Sequence, residues 1–456
     1  MLYKEPQPPA IMTHQIPDIV NRLASTFGLK DIDSLPPASR EVSEKDVYGD
    51  CLLIKGDNLV ALSMMAGQLE SKIDFCYIDP PYNTGGKFVY HDKRQSSTHS
   101  VWGRHSEWMS FMLPRLVIAR HLLAQSGIIA ISIDDYEYAQ LKILADNIFS
   151  SECHIATLVV RRSNNGKGGK LNVAVNHEYV VLYGKTNAAI LRGLPEENLE
   201  SYDKNDIYGS YRVDGLFRKK GDASLREARP AMYYPLYYSQ DGRVYTEKVT
   251  DDLREVYPQD SKGIHRRWLW GKEKATAESW KLFASKNGVV YVKNYNSKDK
   301  RAKIRSILDK LNYLTERATN EAKEIFGERV FETPKPLSLI KDLIDCCSND
   351  DSIILDFFAG TGTTAHAAYE LGRNSKTKRK TILVEHKHPI SDKHAAARGG
   401  FTNTAEITEH RLRTLKSNDS NYSYNVIDAQ NPPHALSSLV EKKPQQGYLF
   451  SSSLEK

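Results

Sequence analysis

Two short strings in this sequence combine residue types and spacings that suit chemistry. The first is Ala359-Gly360-Thr361-Gly362-Thr363-Thr364, which follows the apolar run 353–358. A strand running through a glycine turn into a helix lets backbone approach a nucleotide-like ligand closely. Alone, the loop is ambiguous. Gly360-x-Gly362-x-x-Ala365 also fits the dinucleotide fingerprint, and Glu385, 23 residues past Gly362, could hold a ribose in either class. An NAD enzyme therefore competes on this loop, as does a purely structural turn. The second string, Asp79-Pro80-Pro81-Tyr82, ends another apolar run and is followed by Asn83-Thr84-Gly85. Dehydrogenation has no use for it, whereas methyl transfer to an exocyclic amine does. The lone pair of such an amine is delocalised into its ring and must be redirected toward the electrophile. The Asp79 carboxylate and the Pro80 carbonyl can accept the two N–H bonds, and successive prolines fix φ and aim that carbonyl. Tyr82 then offers an aromatic face to a base taken out of a duplex, where its amine is out of reach.

These strings need a scaffold of strands. From residue 51 onward, short apolar runs alternate with helical patterns: CLLIKGD, KIDFCYID, the helix-like EWMSFMLPRLVIARHLLAQ, GIIAISIDD, a helix near 136–149, and HEYVVLYGK. Continuous apolar runs of this kind predict a buried, mostly parallel α/β sheet. The rhythm breaks after Lys185 and resumes at 336–347 with a helix, the strand SIILDFF, a helix from about Thr363 and the strand KTILVEH. One α/β domain is thus interrupted by a long insert. Residues 1–48 read as an N-terminal extension with some helical periodicity (Ile16, Ile19, Val20, Leu23). Residues 415–456 are polar and read as a flexible tail.

The chain has 456 residues, 40% hydrophobic and 26% charged, with a mean hydropathy of −0.52. It contains neither an apolar run long enough to span a bilayer nor the pattern of a secretory signal, so a soluble cytoplasmic protein away from membranes is expected. Five cysteines form no CxxC and no even framework, which speaks against both zinc and disulfides. His91, His99, His105, His386 and His388 lack metal-ligand spacing, and no metal is expected. Net charge is only +6, but residues 261–305 hold 13 Lys and Arg against 3 Asp and Glu, interleaved with Trp268, Trp270, Trp280, Tyr291 and Tyr295. A polyanion is the natural partner for that stretch, with a solvated basic face as the alternative.

Taken together, DPPYNTG at 79–85 and DFFAGTGTT at 356–364 resemble the S-adenosylmethionine-dependent amino-methyltransferases. The tetrad precedes the cofactor loop and a large insert separates them. That order resembles the β class of DNA adenine-N6 methyltransferases, especially the modification subunits of type III restriction systems. The resemblance covers roughly residues 45–390. It extends to GDN at 56–58, EWMSFMLPRL leading to ISIDD at 131–135, HEYVVLYGK at 177–185, TPKP at 333–336 and LREARPAMYYPLYY at 225–238.

The resemblance implies a permuted Rossmann-like methyltransferase sheet with an inserted target-recognition domain: a catalytic half at 49–184, the insert at 185–330 and a cofactor half at 331–414. It also implies roles. Asp79, Pro80, Pro81 and Tyr82 form the catalytic pocket. Phe358, Gly360, Gly362 and Thr363 wrap S-adenosyl-L-methionine, Asp356 lies near its amino group and Glu385 holds its ribose. Asp57 holds its adenine edge, and Thr333 and Lys335 its methionine end. In the insert, Arg226, Arg229, Arg266, Arg267 and Trp268 are the candidate contacts to double-stranded DNA. The glycine-rich, basic stretch 161–170 reads as a mobile loop over the DNA or an ordinary surface turn.

Cytosine-N4 methylation is the nearest alternative, although Ser is more frequent there at the position of Asp79. Protein glutamine methyltransferases usually carry Asn at that position, and an inactive DNA-binding specificity module would not need the intact tetrad. A restriction subunit and a second copy of the chain are further candidate partners. The chain is somewhat short for a type III modification subunit, so a solitary methyltransferase is also expected to fit. In the tail, Gln446-Gly447-Tyr448-Leu449-Phe450 resembles the QxxLF pattern by which bacterial proteins dock on the replication sliding clamp.

Overall fold

The computed structural model describes residues 13–29, 32–36, 41–82, 103–165, 172–196, 201–221, 223–297, 300–373 and 378–429. Two compact units divide the chain: Met1–Leu194 with Lys303–Lys456, and Pro195–Ala302.

The first unit is built on a nine-stranded mixed sheet. Its strands are β1 (Cys51–Lys55), β2 (Ile73–Ile78), β3 (Leu123–Ile133), β4 (His154–Arg161), β5 (His177–Gly184), β6 (Ile307–Leu308), β7 (Ile353–Asp356), β8 (Lys380–Glu385) and β9 (Tyr424–Asp428), in the order β6-β4-β5-β3-β2-β7-β8-β1-β9. Only β5 runs antiparallel to its neighbours, β3 and β4. The late strands β7 and β8 lie between the early strands β2 and β1, which is the permuted arrangement expected from the order of the motifs.

Alternation along each strand explains the uninterrupted apolar runs, because both faces are covered. Cys76 and Ile78 of β2 join one buried cluster, while Phe75 and Tyr77 join the other. The first face is covered by α1 (Ile16–Phe27), α2 (Asn58–Met65), α3 (Gly103–Leu122) and α4 (Tyr138–Phe149). The second is covered by α6 (Leu337–Cys347) and α7 (Thr363–Gly372), with α5 (Thr315–Phe326) preceding them in the chain. After β8 comes α8 (Thr404–Asn418), whose Leu412 and Leu415 pack with Leu53 and Leu383.

Three boundaries differ from expectation. The N-terminal stretch is more than an extension, since Ile16, Val20, Leu23 and Ala24 of α1 belong to the main core with Val42 and Val47. The tail begins later than 415, because α8 continues to Asn418 and β9 pairs in parallel with β1. Of β9 only Ile427 is buried, so its sequence carries little apolar signal. The separate unit is shorter than 185–330. Lys185 is buried against Ser71 and the His121 carbonyl, β6 is an edge strand and α5 belongs to the first unit. Residues 83–85, residues 166–170 of the loop 161–170 and the 446–450 pentapeptide lie outside the described residues.

The second unit contains a three-stranded sheet (Val244–Tyr245, Leu236–Tyr238, Arg254–Val256) and a four-stranded one (Leu282–Ala284, Val290–Tyr295, Gly209–Leu216, Lys204–Asp206). Phe217, Tyr234, Leu236, Tyr238, Trp268, Leu282 and Val290 form its core. Among the described residues no helix is long and apolar enough to cross a membrane. All five cysteines are buried free thiols, and no group of three or more His, Cys, Asp or Glu among the described residues could hold a metal ion.

Candidate active site at the carboxyl ends of the strands

Register brings the two motifs together. Leu355 pairs with Cys76 and Lys55 with Glu385, and β2, β7, β8 and β1 all run in the same direction. The residues that follow these strands therefore emerge on one edge of the sheet, where ligands bind in open α/β folds. Asp79 leaves β2, Asp356 ends β7, Glu385 ends β8 and Asp57 follows β1.

At Asp79 four polar side chains meet. The Tyr82 hydroxyl donates to Asp79 Oδ1 at 2.6 Å. Lys335 Nζ lies 2.9 Å from the same oxygen, 2.7 Å from the Tyr82 hydroxyl and 3.4 Å from Glu178 Oε2. The Lys335 ammonium is also 4.9 Å from the centre of the Tyr82 ring, within cation–π range. Trp108 of α3 donates its indole N–H to the Pro81 carbonyl at 2.7 Å, which fixes the turn that carries Pro80. Burial raises the Tyr82 phenol well above its usual range, and Asp79 and Glu178 add to that. Burial alone would lower the Lys335 pKa, but the two carboxylates outweigh it and raise it. The pocket thus holds a neutral phenol and a charged ammonium.

The glycine loop is held from both sides. Gly360 N–H donates to Glu385 Oε2 at 2.8 Å, and the Thr408 hydroxyl of α8 donates to the Gly360 carbonyl at 2.7 Å. Gly362 caps α7 with φ +77°, and a Cβ there would sit 3.3 Å from Thr408 Cγ2. Gly360, at φ +52°, would place a Cβ 3.4 Å from the Phe331 ring. Asp356 accepts from Phe358 N–H at 3.0 Å and from the Thr364 hydroxyl at 2.5 Å. Burial pushes its carboxyl up to about 7, with Asp79 and Glu385 adding to the rise.

This donor set fits a cationic ligand. Asp356 and Glu385 are each 2% exposed and flank the loop, so a pyrophosphate would meet negative charge where it needs N–H groups and cations. S-adenosyl-L-methionine carries a sulfonium and an ammonium, which suit those carboxylates, and a ribose diol that can donate to Glu385.

The remaining expected residues sort clearly. Phe358 is half-buried beside Phe111, with ring centres 6.1 Å apart, and Thr363 is buried with its hydroxyl 3.1 Å from that of Thr361. Asp57 Oδ1 caps α2 by accepting from the backbone of Leu59 and Val60, and its Oδ2 lies 3.7 Å from Arg115. One of its oxygens is thus engaged by the helix. Thr333 is exposed. Lys335, expected at the methionine end of the cofactor, lies 2.9 Å from Asp79 Oδ1. Glu178, Trp108 and Arg115 went unnoticed in the sequence. A signal existed for Glu178, a charge opening the otherwise apolar strand HEYVVLYG. Arg115, 2% exposed, joins Asp33, Asn58 and the Phe111 carbonyl behind the site.

In the second unit the structure corrects the expected DNA contacts. Trp268 is a core residue, 2% exposed, stacked on Phe217 and donating its indole N–H to the Tyr234 carbonyl. Arg267 is buried, its guanidinium bonded to the Ala223 carbonyl and Met232 Sδ. Arg266 is engaged by Asp260 and Ser224. Arg226 and Arg229 are exposed, and Arg226 lies 4.4 Å over the Tyr233 ring. Tyr233 in turn stacks on Tyr257.

Residues 73–396 match the family described as DNA methylase. The chain is 50% identical over 415 residues to the type II methyltransferase M.KpnI of Klebsiella pneumoniae, covering 90% of this chain and 98% of that protein. It is 33% identical to the type III restriction-modification enzyme EcoPI Mod subunit of Escherichia phage P1, over 84% of this chain and 65% of that one. Among solved structures it is similar to the PvuII cytosine-N4-specific DNA methyltransferase (12% identity, TM-score 0.39, 86% and 97% of the two chains). It is also similar to the M1.HpyAVI–SAM complex (12% identity, TM-score 0.37, 79% and 98%). The chain belongs to the DNA methylase family. It is a DNA methyltransferase, and its methyl donor is S-adenosyl-L-methionine.

Proposed function

We propose that the chain methylates the N6 amine of an adenine flipped out of double-stranded DNA, at a specific sequence and as part of a restriction–modification system. The observation that carries this reading is the Asp79 carboxylate at the end of β2, beside the loop that follows β7. The cofactor supplies a methyl group already activated on its sulfonium. Asp79 and the Pro80 carbonyl accept the two N–H bonds of the amine, turning its lone pair toward that methyl group. Tyr82 covers the base with its ring. Closing the site around the amine excludes water, which strengthens each of these contacts. The nitrogen passes its surplus proton to the Asp79 carboxylate that accepts its hydrogen bond, and from there to water once the site opens. Asp356 and Glu385 hold the ammonium and ribose, Phe358, Gly360, Gly362 and Thr363 line the loop, and Asp57 and Thr333 are the more distant contacts.

The exposed Arg226 and Arg229 are proposed to meet DNA phosphates, with Tyr233 as their aromatic neighbour. Further partners on this reading are a restriction subunit of the kind Mod relatives serve, a second copy of the chain, and a sliding clamp bound by 446–450. Incubating unmethylated DNA with the chain and tritiated S-adenosyl-L-methionine, then separating the nucleosides, tests the activity. Label in N6-methyladenine supports it. Label in N4-methylcytosine, or in protein alone, replaces it with one of the alternatives.

A further inference from the structure

Lys335 and Glu178 are charged side chains of the pocket without a part in the reaction just described, and both are nearly buried, with side-chain exposures of 11% and 7%. Two long charged side chains are not held out of water without a partner to compensate. Each reaches the tetrad. Lys335 binds Asp79 Oδ1 and the Tyr82 hydroxyl together, and Glu178 holds the other side of the ammonium, also lying 3.4 Å from the Tyr82 hydroxyl. The three groups come from separate elements: Asp79 follows β2, Glu178 sits at the head of β5, and Lys335 precedes α6.

We infer that the Lys335–Glu178 pair positions the catalytic tetrad, holding Asp79 by one oxygen so that the other faces the target amine. This rests on the reading of Asp79 as the amine acceptor. Among the described residues both bonds to Asp79 fall on Oδ1, from Tyr82 and Lys335. A carboxylate so anchored has its second oxygen in a fixed direction, and a fixed acceptor is what redirecting a lone pair requires. The ammonium also opposes the other charges that act on Asp79. Glu178 from β5 and Asp356 from β7 are its carboxyl neighbours, and Tyr77 of β2 and Tyr82 are phenols held neutral. Glu178 tempers the ammonium and keeps it from drawing Asp79 fully out of the amine's reach.

The two partners have opposite electrostatic effects on Asp79, and a merely structural pair would not show that. Methylation of DNA by the full chain at saturating S-adenosyl-L-methionine is followed from pH 5 to 9, where the contribution of Asp356 is common to every variant. Lys335→Met moves the acidic limb of the kcat profile up by about one pH unit and lowers kcat by about tenfold or more. Its Kd for the cofactor stays within about twofold of the parent, on the scale where 1.4 kcal/mol is tenfold. Lys335→Arg keeps the charge and restores the limb. Glu178→Gln moves the limb the other way, to lower pH. An unmoved limb in Lys335→Met, or equal shifts of the same sign in both variants, overturns the inference. So does a tenfold loss of cofactor affinity with an unmoved limb, which returns Lys335 to the methionine carboxylate. If Lys335→Met fails to fold, Glu178→Gln decides alone, a downward limb supporting the pair and an unmoved one overturning it. Asp79→Ala run alongside separates the two levels: if it retains methylation, the tetrad reading itself fails, whatever the other variants do.

Discussion

Two buried cations, one in each unit, show how little a count of charges says about function. Lys335 in the first unit is surrounded by carboxylates and a phenol at the end of a sheet, where nothing about core packing requires a charge. Arg267 in the second unit is satisfied by a backbone carbonyl and a thioether, beside Trp268 in the core. By our inference the first cation positions a catalytic carboxylate, whereas the second holds a small β unit together. Partners and not composition separate the two. For the stretch 261–305, a charge tally favours a polyanion interface, yet Arg267 and Trp268 within it turn inward.

The contrast is most sharply tested by damaging each unit separately. Gly362→Val places a β-branched side chain at φ +77° against Thr408, a strain of about 1–3 kcal/mol or more. Cofactor binding measured by calorimetry should fall by about a hundredfold, while DNA affinity survives. Wild-type cofactor affinity would show that the loop does not approach the ligand.

Trp268→Ala should cost about 3–5 kcal/mol and loosen the second unit, seen as lost hydrogen-exchange protection confined to 195–302. Cofactor affinity should not change. Protection lost across both units would mean that they unfold as one.

Asp356 gives a pH dependence whose sign follows from its raised pKa. Between the ordinary carboxylate range and about 7, the folded chain holds a proton that the unfolded chain has released. Stability of the cofactor-free chain from this group is therefore present at low pH and lost as pH rises through that window. A bound ammonium removes the penalty. Cofactor affinity should be about tenfold tighter at pH 8 than at pH 6, with proton release on binding near pH 6.5. A flat profile would move the ammonium away from Asp356.

The smallest expected effect belongs to the surface. Arg226→Ala and Arg229→Ala should each lower the salt slope of DNA binding by about one, whereas Arg267→Gln should lower the melting temperature and leave the slope alone. The reverse pattern would put Arg267 on the DNA.

What was legible in the sequence follows the same division. The strands of the first unit are buried on both faces, so their apolar runs announced them, and the two motifs marked the strand ends they follow. The order of those motifs, with the tetrad early and the loop late, implied a permuted sheet, and the structure places β7 and β8 between β2 and β1. Edge elements gave no such signal, because a strand such as Tyr424–Asp428 buries one side chain. Lys335 could be found in TPKP, but its partner could not, since Asp79 lies 256 positions away in the chain and meets it only through the sheet. In the second unit short strands and 3-10 turns carry no long period, and the inward turn of Arg267 depends on a carbonyl and a sulfur that no local pattern announces.

The central claim is that Asp79 directs the amine and leaves the cofactor to the glycine loop. Single-turnover methylation of unmethylated duplex DNA, with the cofactor Kd measured on the same preparations, compares the wild type with Asp79→Ala. A methyl group on adenine N6 in the wild type, a rate lower by about 10²–10³ in the variant and an unchanged cofactor Kd are the expected result. Methylation surviving in Asp79→Ala, or cofactor binding lost from a folded variant, would contradict it.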